Sequence, residues 1–204
     1  MPKFSVIMQC FLGEYKNAAS DREYKLDRAI QSVSCQSYKD WEMIIIADGC
    51  ERTFEIVETL HSRKKQIECY LISKQPMWSG ACRNFGISKA KGEWIVYLDA
   101  DDFWGIDHLK KLDEHLGESD WVWFNDLVMT PKGTIERTAL INQRFQHGTA
   151  NIAHRRSLQA KWDTAGYGHD DRGFVESLKR ASNNYTKIST PEYVVCHIPG
   201  KIDY

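Results

Sequence analysis

What this 204-residue chain lacks narrows it first. It carries no excess of either charge: 27 Lys and Arg face 28 Asp and Glu, a formal net charge of −1, which argues against a broad electrostatic grip on nucleic acid or an anionic membrane. No apolar run reaches the roughly 18 residues of a membrane span. The opening Met1-Pro2-Lys3-Phe4 leads into strand-like sequence, without the apolar stretch and small-residue cleavage site of a signal peptide. Cysteine pairing is also missing: Cys10, Cys35, Cys50, Cys69, Cys82 and Cys196 form no Cys-x-x-Cys. Without an export signal they read as reduced, mostly buried small hydrophobes, not a disulfide frame or zinc site. No linker rich in Gly, Ser or Pro, no internal repeat and no low-complexity tract divides the chain. These absences predict a soluble, cytoplasmic protein, residues 1–204 forming one domain with a full-sized core, no membrane span and no nucleic-acid partner.

What is present is an alternation. Residues 4–8 form a short apolar run of strand type, and residues 25–38 change to helical spacing through Leu26, Ala29, Ile30 and Val33. Residues 43–47, Met-Ile-Ile-Ile-Ala, have the continuous apolar character of a strand buried on both faces of a parallel sheet, ending at the turn signal Asp48-Gly49. A helix with Phe54, Val57 and Leu60 on one side follows, then a strand at 67–72, a helix at 80–90, a strand at 94–98, and a helix marked by Leu109, Leu112 and Leu116. Four strand–helix repeats within residues 1–116 specify an open α/β sheet with right-handed crossovers, whose ligands bind beyond the carboxyl ends of the strands. Residues 117–204 are less regular: an exposed-edge strand at 120–129, a turn at Thr130-Pro131-Lys132-Gly133 into 134–140, helical fragments near 155–161 and 171–180, and a closing strand at 193–198.

Leu98-Asp99-Ala100-Asp101-Asp102 sets three carboxylates in four positions at the end of a buried strand. Such groups repel, and a divalent cation with a diphosphate neutralises them: Mg²⁺ or Mn²⁺ takes one or two protein carboxylates and completes its shell with phosphate oxygens and water. The plainer alternative is an acidic helix start, with Asp101 or Asp102 capping the helix that follows. The preceding strand and the place at the switch end of the sheet favour the metal.

The order of motifs resembles the family 2 glycosyltransferases of the GT-A fold across most of the chain. The matching segments are Phe4-Ser5-Val6-Ile7-Met8, Arg28-Ala29-Ile30-Gln31-Ser32-Val33, Gln36-Ser37-Tyr38, residues 42–46, Asp48-Gly49, Ala81-Cys82-Arg83-Asn84-Phe85-Gly86-Ile87, Ala90-Lys91-Gly92-Glu93-Trp94 and the acidic cluster. The resemblance implies a Rossmann-like, mostly parallel central sheet flanked by helices, with residues 1–116 as the nucleotide-sugar half and 117–204 as an irregular acceptor-binding half. It places Phe11 against the nucleotide base and Asp48 on the uracil ring, although Ala47, Cys50 and Gln9 depart from the family's usual residues. Arg83 then faces the diphosphate or sugar. Asp99 and Asp101 form the DXD pair, Asp101 binding metal, and Asp102 contacts donor sugar or metal.

Gly166-Tyr167-Gly168-His169-Asp170-Asp171 reads by itself as a glycine-rich turn and an acidic helix start. In the resemblance, Asp171 is the general base and Asp170 binds the acceptor. His197 matches the late histidine that many members give to the metal, a mixed carboxylate–imidazole site suited to Mn²⁺. His147 and His154 are taken as structural, and Arg155 or Arg156 is available to a phosphate. Among the tryptophans, Trp104 is expected near the site and Trp78, Trp121, Trp123 and Trp162 in the core or rim.

The resemblance thus implies a metal-dependent inverting transferase that moves a sugar from a nucleotide diphosphate sugar, a UDP-sugar by preference, to a hydroxyl of a glycan, a lipid-linked or another acceptor, as in polysaccharide biosynthesis. The short acceptor half leaves room for a partner chain or homodimer to complete it. Two rivals stand beside this reading. A sugar-phosphate nucleotidyltransferase would want a glycine-rich, arginine-containing loop after the first strand, where residues 9–15 hold one glycine. A non-catalytic nucleotide-sugar-binding module would not need both acidic pairs.

Overall fold

The computed structural model describes residues 1–75, 80–141, 148–164, 170–188, 192–198 and 202–204. The predicted alternation is present: β1 (Phe4–Cys10), α1 (Arg22–Ser34), β2 (Trp41–Asp48), α2 (Glu51–His61), β3 (Ile67–Ile72), α3 (Gly80–Lys89), β4 (Trp94–Tyr97), then β5 (Phe103–Trp104) and α4 (His108–His115). The second half adds β6 (Trp121–Phe124), β7 (Asp126–Thr130), β8 (Gly133–Arg137), β9 (Ile152–Arg155), α5 (Asp170–Ala181), β10 (Tyr185–Ile188), β11 (Tyr193–Val195), β12 (His197–Ile198) and β13 (Ile202–Asp203).

The main sheet has seven strands in the order β10-β6-β9-β4-β1-β2-β3. Neighbouring pairs are parallel except those involving β9, which runs antiparallel to both β4 and β6. A second sheet, β5-β11-β7-β8, and a small β12-β13 pair complete the described strands. Strand parity sorts the core. Phe4, Val6 and Met8 of β1, Met43 and Ile45 of β2, and Trp94 and Val96 of β4 face one side, packing with α1, α2, α4 and the second sheet. The intervening Ile7, Ile44, Ile46, Ile95 and Tyr97 face the other side, against α3, α5 and Trp162. Both faces of β2 are buried, as its unbroken apolar run requires. The ends of β1, β2 and β4 that carry Phe11, Asp48 and Asp99 open on one rim.

Four expectations need correction. In α2 the buried positions are Thr53, Ile56, Val57 and His61, and Leu60 is 57% exposed. The stripe is rotated because two polar side chains are anchored inward: the Thr53 hydroxyl donates to Cys10 Sγ, and His61 Nε2 lies 2.9 Å from Asp27 Oδ1 of α1. The segment 120–129 is two strands broken at Asn125, and β6 is interior, with β10 on one side and β9 on the other. Trp121 stacks on Tyr185 of β10 at 4.3 Å. Residues 152–155 form β9 where helix was expected nearby; only a single 3-10 turn, Arg156–Leu158, follows. Residues 193–198 divide at Cys196 into β11 and β12. The cysteines are free thiols, four of them buried, with Cys35 exposed. No helix among the described residues is long and apolar enough to cross a membrane.

His108, at the start of α4, is buried between Trp104, stacked at 4.4 Å, and Phe124, with its Nε2 lacking a hydrogen-bond partner. Burial lowers its pKa to about 3, so in acid the unfolded chain binds its proton first and stability falls as pH drops from about 6.5 toward that value. Urea titrations of the parent and His108→Leu at pH 7 and pH 5 are expected to show a loss smaller by about 2 kcal/mol in the variant. Equal losses would show that this ring does not set the acid limb.

Candidate active site

The acidic cluster follows β4 directly, and the fold disperses its three charges in three directions. Asp102 is buried: its Oδ2 accepts from the Tyr193 hydroxyl at 2.8 Å and its Oδ1 from the Cys196 backbone N–H at 2.7 Å. Tyr193 Oη also accepts the Asp99 N–H at 3.0 Å, so one phenol on β11 pins both ends of the turn. Asp99 is paired with Arg83, Nη2 to Oδ1 at 3.2 Å. Asp101 lies between them. Burial and the Asp99 charge push its carboxyl above the ordinary value, the nearby His197 opposing. Burial, then Asp101 and Asp99, push Asp102 well above the ordinary value. The clustering read from the sequence is therefore an electrostatic strain that a cation would relieve.

His197 stands beside this strain. Its Nε2 lies 3.1 Å from the Asn17 carbonyl oxygen, and because a carbonyl only accepts, Nε2 carries a proton. Nδ1 is buried without a hydrogen-bond partner, 3.8 Å from Asp203 Oδ1. A ring N–H fixed on a backbone carbonyl orients the imidazole in the way metal-binding histidines are commonly held. Among the described residues no three His, Cys, Asp or Glu side chains form a metal site by themselves. Asp101 and the His197 Nδ1 that lacks a hydrogen-bond partner are the donors that would be available to a hard cation, the rest of whose shell would come from diphosphate and water. The buried Lys25 ammonium pairs with Asp203, which also accepts the Ser20 N–H at 2.5 Å.

On the opposite part of the rim, Asp48 ends β2. Its Oδ2 accepts from Lys74 Nζ at 2.6 Å and its Oδ1 from the Gln75 N–H at 2.7 Å. The same ammonium sits 4.5 Å from the Phe11 ring centroid. Phe11 and Asp48, placed together in the sequence by resemblance, are joined in space by Lys74. That residue had no signal in sequence beyond following β3.

Arg83 is buried on α3, and its Cζ lies 4.6 Å from the Trp162 ring centroid. Trp162 stacks on Phe174 of α5 at 3.8 Å, so a chain of contacts leads from Asp99 to the helix whose first turn holds Asp171. Residues 165–169 lie outside the described residues, as does the side chain of Asp170, whose backbone begins α5. His147 and Trp78 also fall outside. His154 is buried, its Nε2 2.8 Å from Tyr97 Oη and its Nδ1 3.0 Å from the Arg155 carbonyl. Trp104 is 3% exposed and stacked on His108, so its ring is core and offers no face to a sugar. Arg155 is engaged by Glu93 and Asp120, and Arg156 Nε donates to the Gly92 carbonyl.

The sequence model described as Glycosyl transferase family 2 matches residues 16–137, more than half of the chain. The chain belongs to the family 2 glycosyltransferases. Among curated relatives, an uncharacterized glycosyltransferase of Haemophilus influenzae is 31% identical over 131 residues, 64% of this chain and 46% of the relative. A GalNAc(5)-diNAcBac-PP-undecaprenol beta-1,3-glucosyltransferase of Campylobacter jejuni is 31% identical over 103 residues, 50% of this chain and 30% of the relative. This glycosyltransferase chain therefore spans less than half the length of either. Residues 1-349 of S. aureus TarS in complex with UDP superpose with a TM-score of 0.73 at 20% identity, covering 95% of this chain and 60% of that one. The mannosyltransferase PcManGT of Pyrobaculum calidifontis, in complex with GDP-Man and Mn2+, gives 0.69 at 14% identity, covering 98% and 59%. These likenesses show the GT-A fold.

Tyr193→Phe removes the hydroxyl that holds both Asp99 N–H and Asp102. It is expected to lower stability by about 1–3 kcal/mol, the cost of a buried carboxylate oxygen losing its donor, in urea titration at neutral pH. A change near zero would mean the phenol does not hold the turn.

Proposed function

We propose that this chain is a metal-dependent, inverting glycosyltransferase domain that transfers a sugar from a UDP-sugar to an acceptor hydroxyl. The observation that carries the reading is the strained Asp99–Asp101 pair at the end of β4 with the open Nδ1 of His197 beside it. Complexes of TarS with UDP and UDP-GlcNAc, and of PcManGT with GDP-Man and Mn2+, support a nucleotide sugar on this fold.

In this reading Phe11 and Asp48 receive the base, with Lys74 holding the Asp48 carboxylate in place. Asp101 and His197 would hold a divalent cation, Mn²⁺ or Mg²⁺, which would supply Lewis-acid neutralisation of the charge developing on a leaving diphosphate. Arg83, buried and oriented by Asp99 and Trp162, presents its guanidinium to the diphosphate or sugar. Asp102, both of whose oxygens are taken by Tyr193 and Cys196, is assigned to shaping the turn in place of donor contact. Asp171 takes the proton of the attacking hydroxyl as the bond to the anomeric carbon forms, and Asp170 orients the acceptor. Attack from the face opposite the leaving group inverts the anomeric centre. The seven-stranded sheet draws on both halves of the chain, in keeping with a single domain. A second copy or a partner chain is proposed to complete the acceptor side.

Screening nucleotide sugars for metal-dependent hydrolysis and thermal stabilisation tests the donor class; release of free sugar also separates this reading from a non-catalytic binding module. Asp101→Ala is expected to abolish metal-dependent donor binding in calorimetry. Asp171→Asn is expected to keep donor binding and lose transfer by at least about 100-fold, the scale of a general base. Transfer at the parent rate by the Asn variant would remove Asp171 from the mechanism.

A further inference from the structure

The donor arginine and the helix of the proposed base lean on the same indole. Phe174 lies against Trp162 with ring centroids 3.8 Å apart and planes 11° apart. That leaves no room on that face, so the Arg83 guanidinium, 4.6 Å from the ring centroid, occupies the other. The indole edge is fixed as well: Nε1 donates to Tyr97 Oη at 3.0 Å, and Tyr97 in turn meets His154 Nε2. The His154 Nδ1 proton goes to the Arg155 carbonyl, leaving Nε2 to accept from the phenol. Burial lowers the His154 pKa to about 4, so this chain of groups stays neutral at working pH.

The backbone is clamped with equal care. Asn84, the neighbour of Arg83 on α3, bonds both polar groups of Trp162: its Oδ1 accepts the Trp162 N–H at 2.8 Å and its Nδ2 donates to the Trp162 carbonyl at 2.9 Å. The next residue, Asp163, is wedged between two helices through glycines. A Cβ on Gly80 of α3 would lie 2.1 Å from the Asp163 carbonyl oxygen, and one on Gly173 of α5 would lie 3.0 Å from Asp163 Cβ. Only a hydrogen at each position lets α3 and α5 approach this segment so closely. Burial of a large aromatic would need none of these bonds at the backbone.

The geometry points to Trp162 as a positioning residue that couples the donor arginine to the first turn of α5. It rests on the proposed donor and base assignments and adds to them a physical link between the two sides. Occupation of Arg83 by a diphosphate fixes the guanidinium on one face of the ring, and the ring's other face transmits that order to Phe174 and hence to the turn carrying Asp171.

The test uses UDP as probe, with Mn²⁺ present, in calorimetry and in hydrogen exchange of the amides at the start of α5. In the parent, UDP is expected to bind and to slow exchange in that turn. Trp162→Leu is expected to weaken UDP about tenfold, the scale of a desolvated cation–π contact, and to abolish the UDP-dependent protection of α5. Trp162→Phe, which keeps a ring for Arg83, is expected to stay within about threefold of the parent. In an Arg83→Met background the Leu substitution is expected to cost no further affinity, because both changes remove one interaction. Should the Leu variant fail to fold, Trp162→Met repeats the test. Parent-like UDP affinity or α5 protection in the folded variant, or additive losses with Arg83→Met, would overturn the inference while leaving the donor reading intact. A parent chain that binds no UDP would remove the donor reading, and this link with it.

Discussion

Three carboxylates forced together at the end of one strand are the constraint around which the rest of the rim is arranged. Unit charges a few ångströms apart near a protein surface repel by about 3–4 kcal/mol, enough to matter against the total stability of a domain. The fold meets this by giving each acid a different neighbour. Tyr193 and the Cys196 N–H take Asp102 inward, and Arg83 draws Asp99 toward α3. Asp101 keeps a raised pKa, with His197 and Lys25 only partly offsetting the burial and the Asp99 charge. This residual strain is what favours a cation in the proposed function, and it arises from the backbone turn itself.

The second sheet exists, in functional terms, to hold that turn. β11 supplies Tyr193, pairs with β5 immediately after the cluster, and leads through Cys196 to His197. Thus the groups that shape the acidic turn and the imidazole beside it come from five consecutive residues, 193–197, nearly a hundred positions downstream. The neighbouring β13 brings Asp203 back onto Lys25 and Ser20, tying the loop after β1 to the same corner. Long-range pairing of this kind makes the rim one cooperative unit.

The same fact explains what the sequence discloses and what it hides. The first four strands are legible because each is a local pattern: β2 is apolar without a break over residues 43–47, and β4 runs straight into its acids. Leu60 misleads because helical spacing cannot know that Thr53 and His61 have partners in β1 and α1. β6 reads as an edge strand because the two strands that cover it, β9 and β10, lie about 30 and 60 residues later in the chain. Of the proposed site, the residues and their order singled out Asp48, Arg83 and the acidic cluster. The partners that define their roles, Lys74, Tyr193 and Trp162, carry no periodic or motif signal. Asp102 shows the cost: its burial against Tyr193 and the Cys196 N–H, which sets it apart from the less buried Asp99 and Asp101, leaves no mark in the sequence.

Charge state follows the same division. The groups beneath the rim are held neutral: His108 and His154 have pKa values lowered to about 3 and about 4, and burial pushes the Tyr97 phenol upward. Above them Asp101 and Asp102 are raised, not lowered, so their protons leave later than ordinary carboxylates would release them. Stability from that protonation is present in acid and lost as pH rises through their folded values, opposite in sign to the histidine contribution. The scaffold under the rim therefore contributes no titration of its own near neutrality.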